Sequence, residues 1–350
     1  MKLLIVTVLL FSQTVIAMGS PNIDKAITDI RNNLYTGIDS VLVYQKNKLI
    51  SENYFNGYSR SKHHDIRSSF KSITGILAAI AFDKGILSPE ELVVPLLSRF
   101  HKLEFIDPLK ANLKVKDLLH MVSGLDCAEM PGSKGTNHEF GIDEGPTPLK
   151  YGLSITMTME PGKEWHYCNA NTFLLGVTIS AGLDRAGTSG IDQFAKENLY
   201  SPLNITEYRT FTTPDGFLYA AGSARFSPHD LAKFGLVILN KGMYKNKRVV
   251  SQKHINEILD GVVETHWTWT DNIHGHAALT ERYGYQWHRT VFEVEEKKIP
   301  VSHSWGNGGQ FIFVVPSQDK VIVFTGSNYN DIYKQKKTFE IMHKYLLSDD

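Results

Sequence analysis

Ser68 and Lys71, in Ser68-Ser69-Phe70-Lys71, set a hydroxyl and an amine three residues apart. On a helix that spacing brings both side chains over one face. A serine hydroxyl becomes a nucleophile when a base can take its proton and donors await the oxyanion that follows. Lysine can be that base only where burial or a nearby cation weakens its hold on its own proton. The ordinary alternative is a serine that merely caps a helix. A second grouping, Tyr167-Cys168-Asn169, spaces a phenol and an amide two residues apart, so on extended chain they point the same way. A phenol there is useful as a base if Lys71 lowers its pKa. Its bland counterpart is an aromatic packed at a helix entrance beside an asparagine cap.

These groups need elements to hold them. Phe70, Ile73, Leu77 and Ile80 recur every three or four residues and predict a helix with one buried face, closed by Lys84-Gly85. Ser68 then sits at the helix start, where unpaired N–H groups and the positive dipole end favour negative charge on oxygen. Residues 40–44 and 49–54 read as a hairpin, and 310–315 with 320–325 as a second one near the other chain end. Ser88-Pro89-Glu90-Glu91 is a capping box that opens a short helix, stopped by Pro95. Further helices are expected over 115–121, over 173–181 with Gly182 as its stop, from Ser227 to 240, and over 338–347. Residues 126–147 hold Gly, Pro and acidic residues without periodicity, which suggests a long loop beside a site. Strands at both ends with helices between them predict an α+β fold: an antiparallel sheet from both chain ends, flanked by helices, with an inserted helical lobe. The sheet lobe is expected at about 38–66 plus 280–350 and the helical lobe at about 67–279. A cleft between lobes is a common small-molecule site.

Composition narrows the function. Lys plus Arg and Asp plus Glu each number 37, and no basic tract stands out. Nucleic acid and anionic membrane surfaces are therefore not expected partners. The fourteen histidines are scattered, and His63-His64 lacks a partner at metal-ligand spacing. No metal and no cofactor are expected. Residues 1–19 carry Lys2, an apolar run over 3–11 and small residues around Val15-Ile16-Ala17. That pattern reads as a secretory signal peptide, too short for a membrane span, with an uncleaved anchor as the alternative. The protein is thus expected to be secreted or periplasmic. Cys127 and Cys168 then form a disulfide or stay as two buried thiols, and an oxidising compartment favours the bridge.

Ser68-x-x-Lys71, Tyr167-x-Asn169 and the glycine-rich Ser302-His303-Ser304-Trp305-Gly306-Asn307-Gly308-Gly309-Gln310 follow one another in a telling order. In this the chain resembles the serine β-lactamase and penicillin-recognising superfamily. The likeness is greatest to its class C branch of β-lactamases, D-alanyl-D-alanine peptidases, esterases and amide hydrolases. Leu118 to Leu125, Leu174-Leu175-Gly176, Asp230 to Gly235 and Tyr283 to Trp287 are similar too, so the resemblance covers residue 38 onward.

The resemblance implies roles. Ser68 would attack a carbonyl, Lys71 with Tyr167 would act as base, and Tyr167 would protonate the leaving group. Asn169 would orient Lys71 or the substrate amide, and the Ser68 N–H with one from the last motif would hold the oxyanion. That last motif departs from the family's Lys-Thr-Gly or His-x-Gly. Matching the glycine selects Ser304-Trp305-Gly306, with Asn307 as oxyanion donor; matching the histidine selects His303-Ser304-Trp305. The first is preferred, because Gly306 permits close backbone approach. Ser304, Gly306 and Asn307 are then expected to meet substrate. The implied activity is a serine hydrolase acting on a small-molecule or peptide ester or amide, with poor β-lactam turnover. The alternatives are a β-lactamase or D-alanyl-D-alanine carboxypeptidase, or a non-catalytic binding or scaffold module.

Overall fold

The computed structural model describes residues 20–102, 107–130, 134–265 and 278–348. The expected signal peptide lies outside them. In chain order the strands are β1 Ile38–Gln45, β2 Lys48–Tyr54, β3 His64–Asp65, β4 Arg225–Phe226, β5 Met243–Tyr244 and β6 Lys247–Arg248. They continue as β7 Val263–Glu264, β8 Ala278–Gly284, β9 Trp287–Val294, β10 Lys297–Gly306, β11 Gln310–Val315 and β12 Lys320–Gly326. Eight of them form one antiparallel sheet in the order β2-β1-β12-β11-β10-β9-β8-β7. Both expected hairpins are present, and β1 joins β12 from Ile38 with Gly326 to Gln45 with Lys320. The two chain ends thus build the sheet. At its far edge β7 and the start of β8 come from the stretch expected to be helical.

Period-two patterning explains why the centre of this sheet is apolar on both faces. Along β11, Ile312 and Val314 enter one core cluster while Phe311, Phe313 and Val315 enter another. The second cluster is closed by the helices Pro21–Arg31 and Ile332–Ile341. On the first face lie the helices Ser69–Asp83 and Pro228–Leu239, with Asn169–Arg185 packed beyond. A side chain at Gly235 would put its Cβ 2.5 Å from Val321 Cγ1, so the glycine lets its helix settle directly on β12.

Four local expectations are corrected. The Ser69–Asp83 helix is buried from Ser69 through Ala81, not on one face, because it is wedged between the sheet and the Asn169–Arg185 helix. Ser88 and Glu91 do bond, Ser88 N–H donating to Glu91 Oε2 at 3.3 Å, but only across a turn. Leu92 is extended and bridges Lys114, so the helix begins at Val93. Pro95 falls in its first turn, where a missing N–H costs nothing. Gly182 lies inside the Asn169–Arg185 helix, where its bare Cα lets the Ile86 carbonyl approach. The last helix starts at Ile332, capped by Asp331 accepting from Lys334 N–H at 3.0 Å.

Candidate active site

The chain reaches Ser68 through a pinned corner. β3 pairs with β4, and Ile66 N–H donates to Ala224 O at 2.9 Å. Arg67 then takes a left-handed φ of 48°, a strained conformation for a non-glycine residue. Asp65 supports it, accepting the Arg67 N–H at 3.1 Å and pairing with its guanidinium at 3.2 Å. Ser68 follows at the N-cap of the Ser69–Asp83 helix, yet its side chain makes no capping bond. Instead Lys71 Nζ donates to Ser68 Oγ at 2.9 Å. The capping alternative is thereby excluded.

Lys71 is 1% exposed and also donates to the Ala221 carbonyl. Burial pushes its pKa down to about 8, against the carboxylates of Glu129, Asp143 and Glu139, which pull the other way. Lys71 Nζ lies 5.2 Å from the Tyr167 ring centroid. Trp305 and His288 flank that ring at 6.0 and 6.3 Å. Burial raises the Tyr167 pKa well above that of an ordinary phenol, and the neighbouring Ser68 side chain offsets this only in part. The expected phenol with a lowered pKa is therefore corrected: Tyr167 is held protonated, and Lys71 is the group whose proton is loosened.

Asn169 opens the Asn169–Arg185 helix. Its N–H donates to Glu129 Oε2 at 2.8 Å and its Nδ2 lies 3.4 Å from Asp143 Oδ1. Its amide thus turns to Asp143, whereas Lys71 or a substrate amide was the expected partner.

At the last motif β9 pairs with β10 only as far as His288 with His303, so residues 304–306 keep β11 alone as neighbour. A Cβ at Gly306 would stand 2.1 Å from Ile66 O and 2.9 Å from Ser69 N. Only glycine fits against the backbone on either side of Ser68, which favours the glycine-matched alignment. Strand alternation corrects the expectation for Ser304. It is fully buried, with Oγ 2.7 Å from Ser69 Oγ and accepting Ile312 N–H at 3.1 Å, so its side chain faces the helix and not a substrate. Trp305 takes the opposite side, and its Nε1 donates to Gln335 at 2.9 Å. The Asn307 side chain is engaged by Asn330 at 2.7 and 2.8 Å and by Gln335 at 2.9 Å. His303 is fully buried, bonded to Thr290 at 3.0 Å and stacked on His288. Burial takes its pKa well below that of a free imidazole.

Cys127 and Cys168 are joined in a disulfide with Cα atoms 5.8 Å apart. Glu129 lies beside them, but sulfurs bonded to each other offer a metal no thiolate. Glu129, Asp143 and the Ala221 carbonyl are the site groups that sequence reasoning missed. The acidic, aperiodic stretch 126–147 was the only signal for the two carboxylates, and nothing in the sequence marked Ala221.

Comparison with known proteins agrees with this geometry. A family model described as Beta-lactamase matches residues 33–336. The chain is 25% identical over 302 residues to a 6-aminohexanoate-dimer hydrolase from Paenarthrobacter ureafaciens, covering 82% of this chain and 72% of that protein. Among solved structures, a class C β-lactamase superposes with a TM-score of 0.65 at 14% identity, over 94% of this chain and 96% of the other. The octameric penicillin-binding protein homologue from Pyrococcus abyssi gives 0.65 at 17% identity, over 92% and 76%. At such identities the structural matches speak for the fold alone.

Proposed function

From the premise that this chain belongs to the β-lactamase family and is a serine hydrolase, we propose that it cleaves amides or esters through an acyl-enzyme on Ser68. The observation that carries the reading is the uncapped Ser68 hydroxyl held 2.9 Å from a buried lysine. In its neutral form Lys71 accepts the Ser68 proton as Oγ bonds to the substrate carbonyl carbon. The N–H groups of Ser68 and Asn307 hold the oxyanion at the helix start. The tetrahedral adduct collapses, the bond to the amine or alcohol breaks, and Tyr167 passes a proton to that leaving group while Lys71 resupplies it. Water then splits the acyl ester by the same route, releasing a carboxylic acid.

The substrate is one without a carboxylate beside the reacting carbonyl. β-Lactams carry such a carboxylate, and its charge-assisted bond needs a cation near the last motif. Ser304 and His303 are buried and uncharged there, Arg67 is paired with Asp65, and Glu129 and Asp143 add negative charge near Lys71. A relative named for hydrolysing the 6-aminohexanoate dimer supports a linear amide. We read the protein as secreted or periplasmic, supported by the N-terminal apolar run and by a disulfide that reducing compartments do not sustain.

Intact-mass analysis after exposure to p-nitrophenyl acetate, 6-aminohexanoate dimer and benzylpenicillin tests this. Acyl adducts or turnover are expected with the first two, little with the third, and none in Ser68→Ala. An adduct that survives in Ser68→Ala overturns the nucleophile, and rapid penicillin turnover overturns the substrate class.

A further inference from the structure

We propose that Glu129 is a positioning residue for acylation, holding the Tyr167–Asn169 segment in place and governing when Lys71 can accept the Ser68 proton. This rests on the serine-hydrolase reading above. Three links fasten residues 127–129 to residues 167–169. Glu129 N–H donates to Tyr167 O at 3.0 Å, Asn169 N–H donates to Glu129 Oε2 at 2.8 Å, and Cys127 is bonded to Cys168. The second link is a helix cap supplied from elsewhere in the chain. Cys168, at the N-cap, makes no side-chain capping bond, so the distant carboxylate takes the first orphan donor of a 17-residue helix. The helix dipole favours a negative charge there.

The same carboxylate acts electrostatically on Lys71, which lies 5.2 Å from the ring of the clamped Tyr167. The charged and titratable groups around Lys71 come from five segments. Ser68 lies on its own turn, and Tyr167 and Glu129 lie on the clamped pair of segments. Glu139 and Asp143 lie on the short helix Glu139–Asp143, and Asp143 is bonded in turn by Tyr219 from the segment that supplies the Ala221 carbonyl. Of the three carboxylates, Glu129 acts most strongly on Lys71. A neighbouring carboxylate favours the ammonium form, so Glu129 opposes the burial that would otherwise discharge Lys71 over a wider pH range. Burial also raises the Glu129 pKa, so the pair is balanced near neutrality. Both duties fall to one carboxyl group.

The two duties separate in two variants. Glu129→Gln keeps a carbonyl oxygen for the Asn169 N–H and removes the charge. Glu129→Ala removes both. The readout is the acid limb of kcat/KM against pH with p-nitrophenyl acetate, which is uncharged, so electrostatic attraction of substrate does not enter. Glu129→Gln should move the midpoint of that limb to lower pH by roughly one unit, because Lys71 then loses its proton more readily. Glu129→Ala should show the same shift together with a lower kcat at every pH, from a loosened Tyr167. A midpoint that stays put or moves upward in Glu129→Gln overturns the proposal, and that variant retains the cap so that folding is kept. Failure of the serine-hydrolase reading looks different: hydrolysis would persist in Ser68→Ala whatever Glu129 does.

Discussion

Two buried polar clusters border the Tyr167 ring, one around Lys71 and one around His288, and burial acts on them differently. Around Lys71 a cation, a phenol and a serine hydroxyl meet, with three carboxylates nearby. On the other side of Tyr167, Glu281 bonds to Thr290, Thr290 to His303, and His288 lies 3.8 Å from Glu281. In that second cluster burial dominates, opposed only by hydrogen bonds from Thr290 to Glu281 and between His303 and the Ser304 backbone. It drives the Glu281 pKa well above the carboxylate range and the His288 pKa down to about 3, so every member is neutral. In the first, burial and neighbouring charge oppose each other, and Lys71 stays able to change its proton near pH 8. Burial alone makes a polar spacer. A site needs burial held in check.

The largest test of that contrast removes the proton pathway. Lys71→Ala and Tyr167→Phe should each slow acylation by about 10²–10⁴, as loss of general acid–base help does. Because the two groups form one relay, the double variant should fall far short of the product of the single losses. Stopped-flow acylation rates decide it, and a multiplicative double loss would show two independent roles.

A middle-sized test concerns the clamp that the site has and the neutral cluster lacks. Replacing both Cys127 and Cys168 by serine should cost about 2–4 kcal/mol in urea unfolding. It should also lower kcat more than it raises KM, since Tyr167 adjoins the bridge. Unchanged kinetics beside lost stability would mean that other contacts hold the site.

The smallest effect is expected from the neutral cluster. Glu281 is protonated in the folded protein because its pKa is raised there, whereas the unfolded chain ionises it above the ordinary carboxylate range. The stability it contributes is therefore full at low pH and lost as pH rises toward the folded value. Glu281→Gln, neutral at every pH, should raise Tm at pH 8 by roughly 2–4 °C and change little at pH 4. An equal gain at both pH values would mean that this carboxyl is charged in the fold, and the contrast would fail.

Much of this arrangement was legible in the sequence where local spacing dictates it. Ser68 and Lys71 share a helix, and Tyr167 and Asn169 share one short segment, so each pair is set by the chain itself. Gly306 was legible through its type, although its reason, contact with the Ile66 carbonyl, is tertiary. Ser304 was misread because a glycine match fixes the register and says nothing of which face a neighbour takes. Glu129 was invisible for another reason. Its carboxylate meets Asn169, forty residues on, through a loop without periodicity, and the Cys127–Cys168 bridge together with the Glu129 N–H bond to Tyr167 O brings the two together. Gly182 and Pro95 were read as stops because their local preference points that way, and packing overrode it.

The pairing of β1 with β12 has a consequence for a chain still on the ribosome. β1 is made early, and its sheet partner arrives only after the whole helical lobe has been synthesised. Gly306, against whose backbone the corner before Ser68 is pressed, lies on β10 and comes almost as late. Closing so long a loop is slow and is rewarded only when the final strands dock. A nascent or truncated chain thus carries Ser68 and Lys71 on one helix without the wall that would turn them into a hydrolase. Hydrolytic competence is therefore expected only once the last strands dock, so a chain truncated before β10 should show no turnover of p-nitrophenyl acetate.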